Sequence, residues 1–287
     1  MFTNLLNIFV SGVAFGVLLF LMAGGLSITL GLMNFANMAH GSFAMAGGYA
    51  TVTLMQRLDW PFFLTLPAAA LIAGLLGYVF ERLLFRRLYR SSDLEQALLT
   101  IGLVFISVAC ATFFWGPAQQ PIRVPAYLNY QIQFGPFDIN SYRLFTIVVG
   151  GALTVALILA VNYTNFGAKI RAGVDNRRMT ASCGIDVDHL FSISFALGSA
   201  LAGLGGALSI QLVGLDPQFP LRYLVLMLLV VVVGGLGSIQ GTLIAALVLG
   251  IGEVVGKYYV PEAASFIIYA IPVAILLMKP AGLFGRA

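Results

Sequence analysis

The chain has 287 residues, of which 60% are hydrophobic and 9% charged. A soluble domain carries roughly 25% charged residues, so no water-facing surface can be assembled from this set, and lipid must be the main solvent. The net charge of +4 requires no nucleic acid, because Arg and Lys flanking membrane spans account for it.

Residues 1–56 contain no Asp, Glu, Lys or Arg. A span needs about 20 apolar residues to cross the hydrocarbon core. Met1 to Gly24 is apolar, lacks a basic leading region and runs into further apolar sequence, which predicts a first span near 5–23 rather than a cleaved leader. Further spans are expected near 33–56, 61–81, 98–115, 144–162, 190–213, 222–234, 239–257 and 264–279. The short alternating segments of a membrane β-barrel are missing. The expected fold is an all-α polytopic transmembrane bundle of eight or nine spans, a single domain over 1–287, with broken or re-entrant segments near 24–48 and 222–241. Cys110 and Cys183 fall in a span and in a basic loop and form no disulfide framework.

Two basic clusters set the orientation. Arg82, Arg86, Arg87 and Arg90 follow one span, and Lys169, Arg171, Arg177 and Arg178 follow another two crossings later, so both belong on the same side, the cytoplasmic one. The loop 116–143 then faces outward. Pro117, Pro121, Pro125 and Pro136 exclude a long helix there, and Trp115, Tyr127, Tyr130 and Tyr142 suit an interface. The N-terminus is expected outside and the C-terminal tail inside.

Within the charge-free N-terminal tract, Asn34, Asn37, His40 and Ser42 form the densest polar group, and on a helix Asn34, Asn37 and Gly41 would share one face. Such a stripe can line a translocation path, or it can hydrogen-bond packed helices together. No carboxylate adjoins His40 in sequence, which argues against a proton relay. Gly234, Gly235, Gly237, Ser238 and Gly241 superficially resemble a phosphate loop but lack the following Lys, so a tight turn or a broken helix with close backbone packing is expected. Gly12–Gly16 and Gly252–Gly256 have the G-x-x-x-G spacing of helix contacts.

The loop 163–189 is the largest polar segment on the inner side. Its middle, Ala172 to Ser182, can form a short helix placing Ala172, Asp175, Asn176 and Met179 near one face, ended by Gly184. Four positive charges and the carboxylates of Asp175, Asp186 and Asp188 offer a docking surface for a soluble partner; a merely solvated loop is the plainer alternative.

Three stretches, taken in order, resemble the permease subunits of branched-chain amino acid ABC importers, the shorter of the two permease types. They are Gly25-Leu26-Ser27 through Asn34-Phe35-Ala36-Asn37-Met38-Ala39-His40-Gly41; Gly167-Ala168-Lys169-Ile170-Arg171-Ala172 with Asp175-Asn176 and Gly184-Ile185-Asp186-Val187-Asp188; and Gly234-Gly235-Leu236-Gly237-Ser238-Ile239-Gln240-Gly241. The chain departs from the first signature by carrying Ala36-Asn37-Met38-Ala39 before His40, and Thr180 to Cys183 is more polar than is usual in the second.

The resemblance implies a second permease subunit, expected to be a different chain, two cytoplasmic ATPases and an external solute-binding protein. It places ATP and Mg in the ATPases and no cofactor in this chain. The polar stripe and the Gly-interrupted turn put Asn34, Asn37, His40, Ser42, Gly234, Gly235, Gly237 and Ser238 forward as translocation-path residues, and the resemblance assigns Arg171, Ala172, Gly173, Asp175, Asn176, Arg177, Met179 and Gly184 to ATPase coupling. Branched-chain amino acids, amides and urea are all compatible cargoes. The chain has no nucleotide motif and no Ser/His or paired-Asp constellation within its spans, so it is not expected to be an enzyme. The alternative of an ion-coupled carrier would rest on Glu81 and Glu253, the carboxylates near span ends, both expected at the membrane interface.

Overall fold

The computed structural model describes the whole chain except Met1, Asn34, Ala36, Arg90, residues 121–124, Gly135, Pro136, Arg286 and Ala287. Arg90, Pro121 and Pro136 of the sequence reading, and Asn34 of its polar stripe, therefore lie outside the described residues.

In chain order the helices are α1 (Phe2–Met33), α2 (His40–Arg57), α3 (Phe62–Phe80), α4 (Arg86–Leu88), α5 (Asp93–Trp115), α6 (Ser141–Tyr163), α7 (Asn165–Asp175), α8 (Arg177–Ser182), α9 (Val187–Val213), α10 (Phe219–Gly234), α11 (Ile239–Tyr259) and α12 (Ala264–Met278). A π-helical turn, Glu81–Phe85, joins α3 to α4. Six of these segments are long and apolar enough to cross a membrane: Leu5–Gly31, Phe62–Leu88, Asp93–Trp115, Ser141–Tyr163, Val187–Val213 and Ile239–Tyr259. The helices of α10 and α12 are apolar but shorter. The chain is an all-α membrane bundle, with one small exception. The loop before α6 folds into a two-stranded antiparallel hairpin, β1 (Gln131–Phe134) with β2 (Phe137–Asn140), in the register Gln131 to Asn140.

The boundaries correct the sequence reading at three places. α1 continues through Gly24 and Gly25 to Met33 and α2 begins at His40, so the expected broken segment at 24–48 narrows to the stretch between them, where Phe35, Asn37, Met38 and Ala39 are non-helical. Asn37 consequently sits in irregular backbone and shares no helical face with Gly41; Asn34, the third member of the expected stripe, lies outside the described residues. The expected helix 172–182 is two helices broken at Asn176, whose extended backbone (φ −157°, ψ 99°) ends α7, and whose side-chain oxygen accepts from the Met179 amide at 3.0 Å to cap α8. Gly184 does follow the helix end in the left-handed region, φ +79°.

α9 stands at the centre, packed on α1, α2 and α3, and buries Phe191, Phe195 and Leu208 completely or nearly so. Lipid tails give apolar helices no hydrophobic reason to associate, so backbones must approach closely through small residues. Gly25 of α1 lies on Gly198 of α9, and Gly47 of α2 lies on Gly203; a Cβ at either would overlap the partner backbone. The two G-x-x-x-G pairs also serve as contacts: Gly12 and Gly16 face Ile251 and Leu247 of α11, while Gly252 and Gly256 face Ile271 and Ile267 of α12. Buried hydroxyls mostly return to their own helix, as with Thr51 to Gly47 O (3.1 Å) and Ser194 to Leu190 O (2.7 Å).

Gly102 and Gly151, in contrast, face open space. Gly47→Ala should lower the unfolding midpoint of the detergent-solubilised protein, by the equivalent of about 1–3 kcal/mol for overpacking. Gly151→Ala should leave it unchanged or raise it through helix propensity. Equal behaviour of the two variants in a thermal melt would contradict the packing described.

Candidate functional site

The described path residues fall into two separate groups. The first is the break between α1 and α2. Asn37 is fully buried; its Oδ1 accepts from the Ala39 amide at 3.0 Å and its own amide donates to Phe35 O at 3.0 Å. Its side-chain Nδ2 has no partner among the described residues. His40 opens α2 at 1% exposure; its ring lies against the Met22 backbone, but neither nitrogen closes a hydrogen bond of good geometry. Ser42 shares a 2.7 Å hydrogen bond with Ser107, tying α2 to α5. This combination of irregular backbone with unsatisfied, fully enclosed amide and imidazole nitrogens is costly in a lipid-embedded core and is tolerated only where protein or a cavity surrounds it.

The second group is the turn between α10 and α11. Gly235 and Gly237 take φ +99° and +78°, which side chains rarely adopt. Gly237 packs on Gly31 at the end of α1. Ser238 caps α11 by accepting from the Gly241 amide at 3.1 Å, and Thr242 meets Ser27 of α1 at 2.9 Å. Gly234 packs directly against Gly241 and Thr242, and its carbonyl accepts from the Phe284 amide at 3.2 Å. A cavity of about 680 Å³ joins Gly237 and Ser238 to Arg171 and Asp175 of α7. This turn therefore sits with the loop 163–189 and apart from His40.

In that loop, Arg171 donates to the Val161 carbonyl at the end of α6. Ala172 is exposed and Gly173 buried on α7; Asp175, Asn176, Arg177 and Met179 are exposed where α7 gives way to α8. Arg177 and Arg86 converge on one carboxylate: Asp188 at the start of α9 pairs with Arg86 at 2.5 Å and with Arg177 at 3.1 Å. The two basic clusters thus meet at one end of the bundle, as their spacing by two crossings requires. The Arg177 guanidinium also lies 4.8 Å over the Phe191 ring.

Sequence reasoning placed Glu81 at an interface; the structure buries it completely. Glu81 occupies the π-helical turn, where the backbone departs from α geometry. It accepts from the Tyr89 hydroxyl at 2.8 Å and from the Ser192 hydroxyl of α9 at 2.5 Å. Tyr89 in turn packs edge-on against Phe35 (5.9 Å) and Phe191 (5.9 Å), and Phe35 is tilted against Phe85 (5.4 Å). A continuous set of contacts therefore runs from Arg177 through Phe191 and Tyr89 to Phe35, two residues before Asn37. In sequence Glu81 stands at the end of an apolar tract directly before Arg82, Arg86 and Arg87, a setting that reads as an interface. Glu253, the other carboxylate singled out, forms an i,i+4 pair with Lys257 at 2.6 Å.

A family model described as the branched-chain amino acid transport system permease component matches residues 8–276. The chain belongs to the branched-chain amino acid transport permease family. It is similar to LivH, a high-affinity branched-chain amino acid transport permease of Escherichia coli K12, at 26% identity over 96% of this chain and 94% of that protein. The probable LivH of Methanocaldococcus jannaschii is 31% identical over 93% and 89% of the two chains. Similarity extends more weakly to LivM of Escherichia coli K12, 24% identical over 90% of this chain and 66% of that longer protein. No solved structure matched. Membership makes the chain a multi-pass inner-membrane permease subunit, which is not itself an enzyme.

Glu81→Ala should strand the Tyr89 and Ser192 hydroxyls and destabilise the bundle by about 1–3 kcal/mol, whereas Glu81→Gln, which keeps an acceptor, should cost less. A double-mutant cycle of Glu81→Ala with Ser192→Ala should return a coupling of about 0.5–3 kcal/mol in unfolding free energy. Strict additivity would show that the Glu81–Ser192 bond is absent.

Proposed function

We propose that the chain is one transmembrane subunit of an ATP-driven importer for branched-chain amino acids or related small polar solutes such as amides and urea. It forms part of the translocation path with a second permease and is moved by two cytoplasmic ATPases. An external binding protein delivers the solute at the opposite face. The bundle crosses the membrane eight or nine times, with the N-terminus outside and the C-terminus, the α7–α8 segment and both basic clusters inside.

The observation that carries this reading is the end of the bundle where Arg86 and Arg177 close on Asp188. There α8 presents an exposed helical surface, with Met179 66% exposed, on a segment anchored by Asn176, Arg177 and Gly184. An exposed Met on a short polar helix suits docking into a partner's groove. Arg177 holds that helix to α9, so its role is to position α8 as much as to contact a partner. Rigid attachment matters, because a push on α8 is then carried into Phe191, Tyr89 and the break at Asn37 and His40. Each exposed ion pair contributes only about 0–1 kcal/mol, so Asp188 orients the segment more than it stabilises it.

The relatives' names add the substrate class, and the similarity to LivM, a second permease of the same kind of system, favours a mixed permease pair. An ion-coupled carrier would need a carboxylate open to the path. Glu81 is enclosed beneath two hydroxyls, and Glu253 is held by Lys257.

Met179→Asp should leave folding unchanged, since the side chain faces solvent, but should cut ATPase association and ATP-dependent uptake in proteoliposomes about tenfold or more. Arg177→Ala with Asp175→Ala should weaken association as well. Unaltered assembly and uptake in both variants would remove α8 from the coupling interface.

A further inference from the structure

At the end of the bundle opposite α7 and α8, a cavity of about 750 Å³ opens between the first turns of α1 and the adjoining ends of α6, α9, α10, α11 and α12. Arg143, Arg222 and Lys257 line it against one carboxylate, Glu253. The positive-inside rule gives no reason for cations at this end, since the two basic clusters meet at the other. Two of the three cations have acids of their own, Arg222 with Asp216 at 2.6 Å and Lys257 with Glu253 at 2.6 Å.

Arg143 does not. It is half-buried and forms no ion pair among the described residues. It donates to the Ser11 hydroxyl of α1 at 2.5 Å, and that hydroxyl donates onward to the Asn7 carbonyl at 2.5 Å, so Ser11 brings it no negative charge. Arg143 also stands in the first turn of α6, where the aligned peptide dipoles are positive and disfavour a second positive charge. Its planar fork of donors matches a phosphate. Arg222 lies in the first turn of α10 and Lys257 in the last turn of α11, so all three cations share the level at which helices leave the membrane. Tyr258 and Tyr269 on the rim are 51% and 44% exposed, amphipathic rings of the kind that settle at headgroup depth. One turn further into the bundle than Ser11 and Arg222, the wall is apolar, formed by Phe15 and Leu226 with Ile268 of α12.

We infer that this cavity holds an anionic phospholipid, its phosphate on Arg143 with Arg222 and Lys257 nearby, and the start of its acyl chains against Phe15, Leu226 and Ile268. Basic pockets between transmembrane helices bind anionic headgroups in this way. Three cations against one carboxylate leave the lining positive. A headgroup that adds an ammonium or a choline therefore gains less there than one of net negative charge, such as that of phosphatidylglycerol. A free phosphate would meet the need of Arg143 but would leave the apolar wall uncovered. The site lies within one subunit, and it follows from this cavity whether or not the ATP-driven reading holds.

The test uses the delipidated full-length chain in detergent, titrated separately with phosphatidylglycerol, phosphatidylcholine and inorganic phosphate, with bound ligand counted by native mass spectrometry. The chain should retain one phosphatidylglycerol, about tenfold or more tightly than phosphatidylcholine, and inorganic phosphate should not displace it. Arg143→Gln should weaken that retention about tenfold or more at an unchanged unfolding midpoint. Lys257 is 65% exposed on its side chain, so Lys257→Gln, which should weaken retention likewise, tests the site without risk to the core. Arg57, an exposed cation at the end of α2, does not line the cavity, and Arg57→Gln should leave retention unchanged. Equal retention of the two lipids, an equal loss in Arg57→Gln, or wild-type retention by both cavity variants overturns the assignment. Phosphate binding that depends on Arg143, in a chain that retains no lipid, overturns it as well and assigns the cavity to a soluble phosphate. None of these results bears on ATP coupling, which is read by uptake.

Discussion

Backbone-to-backbone approach through glycine is the constraint on which the rest of this bundle depends. Within lipid, helix association gains nothing from excluding apolar surface from its surroundings, and only close packing and internal hydrogen bonds remain. Gly25 on Gly198 and Gly47 on Gly203 draw α1 and α2 onto α9, and Gly31 on Gly237 sets the α10–α11 turn against the end of α1. These crossings place the irregular backbone of Phe35, Asn37 and Ala39 inside protein. A peptide break in lipid would expose unsatisfied amides, whereas here the Asn37 side chain and backbone close the turn locally.

With the frame fixed, polar groups concentrate where the bundle has work beyond cohesion. Most buried hydroxyls return to their own helices and tell us nothing of function. Among those that join different segments are Glu81 to Tyr89 and Ser192, Ser42 to Ser107, and Thr242 to Ser27. The Glu81 set lies between the exposed α8 surface and the break at Asn37 and His40, Ser42 braces that break from the side, and Thr242 ties the α10–α11 turn to α1. A displaced α8 pulls on α9 through Arg177 and Asp188, and α9 carries Ser192, which holds the π-helical turn. That contiguity joins the exposed α8 surface to an interior discontinuity, and it is the structural support for the coupling proposal.

Composition and charge placement made the membrane class and the common side of the two basic clusters readable before any coordinates, because both follow from the cost of burying charge. The Gly234–Ser238 turn was readable for a similar reason: glycine clusters mark backbone that a helix rejects. What escaped was set by tertiary contact. Nothing local shows that α1 passes straight through Gly24-Gly25, since the compensation is Gly198, more than 170 residues away. The break at Asn176 was legible in principle, because Asn is a favoured N-cap residue, but helix propensity of the surrounding residues concealed it. Glu81 looked like an interfacial acid until the hydroxyls of Tyr89 and Ser192 gave it a buried setting. The hairpin at 131–140 hid in a loop dominated by its prolines.

Isolation of the tagged chain from its native membrane in mild detergent, with partners identified by mass and assayed for ATP hydrolysis, tests the central claim most directly. The account predicts recovery of two soluble ATPases and a second permease, with uptake in proteoliposomes that stops when ATP is withheld. Recovery of the chain alone, with intact transport in ATP-free liposomes, would contradict it.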